Sequence, residues 1–119
     1  MSRQTSDDPC DPLTRLEQRI ERTLEQCRRF EQMAPPLLEW AENWSVTTLA
    51  RWLNMSQLPL GEREKALVGL ALKGSREAGA VINDYDPSGE GQAHRLFYRV
   101  VRIEWEQCHR ERHTRDKAI

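Results

Sequence analysis

Residues 66–72 (ALVGLAL) are all apolar or glycine, and no charged side chain interrupts them. The surrounding stretch, 62–73, reads as a helix. A helix that is apolar all round must be enclosed all round, so this segment is expected at the centre of the fold. A helix stop and restart follows it. Gly74 stands where a left-handed C-terminal cap is wanted, and Ser75 can cap the next helix, 76–85. The two form a tight helical hairpin, and Ala78, Gly79 and Ala80 offer a small-residue surface for close approach.

The remaining segments carry the same periodicity. Asp11 can accept from orphan amides and Pro12 suits the first helical position, so a helix begins there. Its apolar stripe is Leu13, Leu16, Ile20, Leu24, Cys27, Phe30 and Met33/Ala34, and Pro35-Pro36 is expected to end it. A short helix is expected over 36–43, with Leu37, Trp40, Ala41 and Trp44 on one side. Ser45 then caps 46–55, whose inward residues are Leu49, Trp52 and Leu53, and 56–61 reads as a loop. The loop 86–89 leads into a last long helix, 90–113, with a stripe at Ala93, Leu96/Phe97, Val100/Val101, Glu104/Trp105 and Cys108. No segment alternates in the manner of a strand. The fold class is therefore all-α: a compact bundle of five to six helices, long first and last helices around short central ones. One helical domain over 11–113 is expected between disordered polar tails at 1–10 and 114–119.

Composition narrows the function classes. The length of 119 residues suits one domain. Eighteen basic against nineteen acidic residues give a net charge of −1, without the basic excess of a dedicated nucleic-acid binder. The three cysteines, Cys10, Cys27 and Cys108, form no CxxC pair, so neither a zinc knuckle nor a redox motif is supported. Free thiols in a cytoplasmic setting are expected, and no segment reads as a signal peptide or membrane span.

Three local resemblances bear on function. The segment 66–78 resembles one helical-hairpin unit of HEAT-type solenoids. A solenoid needs at least about three stacked units, so the likeness is read as a packing convention. The segment 45–56 (SVTTLARWLNMS) resembles the first helix and turn of a helix-turn-helix DNA reader, which implies a recognition helix from about Ser56. Pro59 and Gly61 interrupt that stretch, and Glu62 and Glu64 would repel phosphates at the reading end. The segment 84–89 (DYDPSG) resembles the first half of an EF-hand calcium loop. Its closing position is Arg95 where a bidentate Glu belongs, and Gly91 replaces an apolar residue. A loop in which Asp86 or Ser88 caps the last helix is expected, without calcium.

Glu106, His109 and His113 share one helical face at spacings of three and four, a geometry able to present three ligands to zinc or iron, with more needed from elsewhere. The competing role is electrostatic, since histidines and arginines interact well with the negative end of a helix. The basic stretch 109–117 reads as a solubilising tail. Catalysis finds no constellation: Cys108 and His109 are helix neighbours and point apart, and no cofactor motif is present.

Surfaces for partners remain. Leu13, Ile20, Cys27 and Ala34 fall at one heptad position and Leu16, Thr23 and Phe30 at the other, a seam able to join two chains or to pack within one. Four tryptophans, Trp40, Trp44, Trp52 and Trp105, are a high load for so polar a chain, and Trp is enriched in binding hot spots. The expectation is a non-enzymatic protein–protein interaction module, an adaptor or regulatory subunit that self-associates, docking through Leu13, Leu16, Ile20, Phe30, Trp40 and Trp44. The alternatives are a DNA-binding regulator using 45–60 and a metal-binding helical bundle.

Overall fold

The computed structural model describes residues 11–118, and their side chains as far as Arg112. It contains α1 (Pro12–Glu42), α2 (Val46–Leu53), α3 (Leu60–Lys73), α4 (Arg76–Asp84) and α5 (Gln92–Ala118), with no strand among the described residues. The N-terminal tail expected at 1–10 lies outside that range.

Three starts use the caps written in the sequence. The Asp11 carboxylate accepts from the Thr14 amide at 3.3 Å and from its hydroxyl at 2.9 Å. Ser45 accepts from the Thr48 amide at 3.1 Å and Ser75 from the Ala78 amide at 3.2 Å. Each such cap contributes about 1 kcal/mol. Between α3 and α4 the chain turns at Gly74, whose φ of +62° is left-handed. Glycine takes that conformation without a Cβ penalty.

The apolar run lies where its composition demands. Ala66, Leu67, Val68, Leu70 and Ala71 have no exposed surface, and α1, α2, α4 and α5 all pack against their helix. Gly69 lets α1 come close, since a Cβ there would meet the Trp40 ring at 3.2 Å.

The prolines do not end the first helix. Pro35 and Pro36 lie inside α1, which continues to Glu42 and absorbs the short helix expected at 36–43, so five helices form. Both prolines are on the exposed side, where water can serve the carbonyls that lose an amide partner. Immediately after them and one turn on, Leu37 and Ala41 are buried and Trp40 packs against the core. Packing of that turn outweighs the two missing hydrogen bonds. At the other end, α5 continues to Ala118 through the segment expected as a tail. Its last residues contain neither proline nor glycine to stop it.

The small-residue surface on α4 serves a different neighbour from the one expected. Ala78 is buried and Ala80 exposed, while Gly79 faces α5 and not α3. A Cβ on Gly79 would come within 2.1 Å of the Trp105 indole. Gly79→Ala is therefore expected to lower unfolding free energy by about 2 kcal/mol, the usual scale for overpacking, with Ala80→Ser near neutral. Urea denaturation followed by circular dichroism checks both.

Candidate functional site

Beneath the α1–α5 face lies a buried polar chain drawn from four parts of the fold. Arg29 comes from α1, Glu64 from the first turns of α3, His94 from α5 and Tyr85 from the end of α4. Arg29 donates through Nη1 to the Gln26 side chain at 2.6 Å and through Nη2 to Glu64 Oε1 at 2.5 Å. The second Glu64 oxygen meets His94 Nδ1 at 2.9 Å, and His94 Nε2 meets the Tyr85 hydroxyl at 2.7 Å. An ionised Glu64 can only accept, so Nδ1 donates to it, and Nε2 has the Tyr85 hydroxyl as its partner, leaving both ring nitrogens satisfied. The Arg29 guanidinium also lies 4.7 Å above the Phe97 ring.

His94 is 1% exposed and Glu64 4%. Burial alone would raise the Glu64 carboxyl. Hydrogen bonds from His94 and Arg29 outweigh it and hold the group below its ordinary value of 4.5. Burial pushes the Tyr85 hydroxyl up. Both His94 nitrogens are used inside the protein, so this chain of groups ties α1, α3, α5 and the end of α4 together.

Sequence reasoning missed this lock, although a signal for it exists. Glu64 precedes Leu67 and Val68 by three and four residues and so shares their buried face. On α5 the inward stripe is His94, Phe97 and Val101, while Ala93 is exposed, one position away from the reading made by counting apolar residues alone.

The far half of α5 holds the α3–α4 turn. Trp105 Nε1 donates to the Ser75 carbonyl at 2.9 Å, His109 Nδ1 to the Gly74 carbonyl at 2.8 Å, and Arg112 to the Lys73 carbonyl. The rings of Trp105 and His109 stack at 4.8 Å. The negative helix end that His109 and Arg112 meet is that of α3, not of their own helix. Of the proposed metal ligands, Glu106 is exposed, His109 is engaged in this way, and the His113 side chain lies outside the described residues. Among the described residues no group of three His, Cys, Asp or Glu is placed to hold a metal ion.

Two other segments fold locally. The Asp86 carboxylate accepts from the Ser88 amide at 2.9 Å, closing a tight turn and leaving the last helix uncapped by either residue. Glu90, in the same loop, pairs with Arg63 at 2.9 Å. The helix that follows the 45–56 segment is the enclosed α3.

The surface is most unusual on the first half of α1. Leu13, Leu16, Ile20 and Leu24 are 66%, 51%, 50% and 47% exposed and follow one another at steps of three and four, which makes them one apolar ridge. At 100° per residue, Glu17 and Glu21 flank that ridge on one side and Arg19 and Thr23 on the other, with Arg22 further round on the same side toward α5. The basic flank borders a groove of about 240 Å³ between α1 and α5, lined by Arg19, Arg22, Thr23, Arg95, Leu96 and Arg99. None of those four arginines makes an ion pair among the described residues.

The other expected docking residues separate. Phe30 sits about 80° round α1 from the ridge and packs in the core against Phe97, 6.5 Å between centroids. Trp40 is half-buried, with its ring 6.1 Å from Trp52, and Trp44, 38% exposed, caps that cluster 4.8 Å from the same ring.

No helix among the described residues is long and apolar enough to cross a membrane. No family model, curated protein or solved structure matches the chain.

The lock gives a pH-dependent expectation. Folded Glu64 binds a proton less readily than unfolded Glu64, so its stabilisation is complete above the ordinary value of 4.5 and fades as pH falls through the lower folded value. Glu64→Ala should lose about 3 kcal/mol at neutral pH, the low end for a broken buried pair because Arg29 is partly hydrated. Urea denaturation at a series of pH values should show its gap from wild type narrowing in acid.

Proposed function

We propose that this chain is a small helical protein–protein interaction module, an adaptor or regulatory subunit that self-associates, with the ridge of α1 as its docking face. The observation that carries the reading is the line of Leu13, Leu16, Ile20 and Leu24, each about half exposed or more, on a helix whose other half is anchored in the core. Scattered exposed aliphatics are ordinary on a soluble protein, whereas a contiguous apolar strip rimmed by charge is the pattern of an interaction site.

Magnitudes set what the ridge can do alone. In a ridge-to-ridge dimer, covering the exposed half of four aliphatic side chains on each copy contributes about 1 kcal/mol per side chain, about 8 kcal/mol in all. Association costs about 4 to 15 kcal/mol in lost freedom of motion. The ridge therefore supplies a seat, and neighbouring groups must supply the rest of the affinity.

Sedimentation velocity over a concentration series tests the reading. Wild type should pass from monomer to a larger species, and Ile20→Glu should remain monomeric with an unchanged helical spectrum. A wild-type chain that stays monomeric throughout contradicts self-association.

A further inference from the structure

We propose that the occupant of the ridge and of the arginine groove beside it is α1 of a second copy, lying parallel to the first. This rests on the reading of the ridge as a docking face and adds the partner's identity and direction.

Charge carries the argument. Arg19, Arg22, Arg95 and Arg99 line one groove with no acid paired to any of them among the described residues. Two other guanidiniums, both drawn into the protein, do have acids paired to them. Arg29, one turn pair beyond Arg22 on the same stripe, holds the Glu64 carboxylate, and Arg63 holds Glu90. Four neighbouring guanidiniums repel one another, and carboxylates set in the groove would relieve that repulsion with geometrically matched hydrogen bonds. The groove shares Arg19 and Thr23 with the apolar ridge, so its occupant must present apolar and acidic residues side by side.

The first half of α1 is itself such a helix. Next to its ridge stand Glu17 and Glu21, exposed and without an ion pair among the described residues. When two identical helices pack ridge to ridge, their direction decides which flanks meet. Antiparallel packing sets like flanks together, acid against acid and arginine against arginine. Parallel packing sets the acidic flank of each helix against the basic flank of the other, twice over and related by a two-fold axis. Only the parallel arrangement places Glu17 and Glu21 of each copy over the arginine groove of the other. The closed symmetry limits the assembly to a dimer.

A charge-swap experiment on the full chain, read by sedimentation velocity, tests this. One variant carries Glu17→Arg and Glu21→Arg, the other Arg19→Glu, Arg95→Glu and Arg99→Glu. All five positions are exposed, and circular dichroism confirms that each variant is folded. Each alone should dimerise at least about tenfold more weakly than wild type, and an equimolar mixture should recover a heterodimer. Direction is read separately by Leu24→Cys in a Cys10→Ser, Cys27→Ser background, with that background alone as control. Parallel packing puts the two introduced thiols opposite each other, and mild oxidation should yield a covalent dimer that the control does not form.

If Ile20→Glu abolishes the dimer but the charge variants leave it intact, the docking face stands and the parallel charge pairing is overturned. If Ile20→Glu leaves the dimer intact, the docking face itself is overturned. A Leu24→Cys dimer that resists oxidation but cross-links when mixed with a Leu13→Cys variant would overturn the direction. A wild-type monomer that binds a DNA duplex through Arg95 and Arg99 would overturn the choice of occupant.

Discussion

Enclosure of α3 is the constraint on which the rest of the molecule depends. A helix with no polar face through 66–71 cannot lie at a surface, so four other helices must surround it. The one charge carried into that enclosure, Glu64 near its start, is tolerable only because Arg29 and His94 bring hydrogen bonds from two other helices to both carboxylate oxygens. At the opposite end, Trp105, His109 and Arg112 supply donors to the carbonyls of the α3–α4 turn. Both ends of the central helix are thus fixed by side chains from outside it, and α5 contributes at both.

Features set by a few neighbouring residues were legible before any coordinates. The Asp11, Ser45 and Ser75 caps, the left-handed Gly74 and the central run follow from chemistry within one or two turns. Features that depend on what packs opposite were not. The Pro35-Pro36 pair breaks a helix in isolation, but the core contacts of Leu37 and Ala41 lie beyond it and override the local cost. Glu64 and His94 are thirty residues apart, and nothing in either neighbourhood names the other. Gly79 reads as a small residue for any neighbour until Trp105 is seen to fill its space.

The same distinction explains the candidate site. The apolar residues of α1 look like one stripe in sequence, yet the helix uses them in two ways. Phe30, Leu37 and Ala41 are committed to the core, with Leu38 left outside it, and those from Leu13 to Leu24 are not. A drift of 3.6-residue helical turns against a seven-residue pattern carries the two sets onto different sides of the helix. The core therefore consumes one half of the stripe and leaves the other as a ridge between an acidic and a basic flank.

Hydrogen exchange resolved by residue, at protein concentrations on either side of self-association, is the most direct measurement of this division. Amides of 66–71 should exchange only through global unfolding at every concentration, because that stretch of α3 has no exposed side from which to open. Amides of 13–24 should be weakly protected in dilute solution and gain protection as concentration rises. Protection of 13–24 that does not change with concentration would contradict the face left free for association, and amides of 66–71 that exchange as readily as those of the α1 ridge would contradict the enclosed centre.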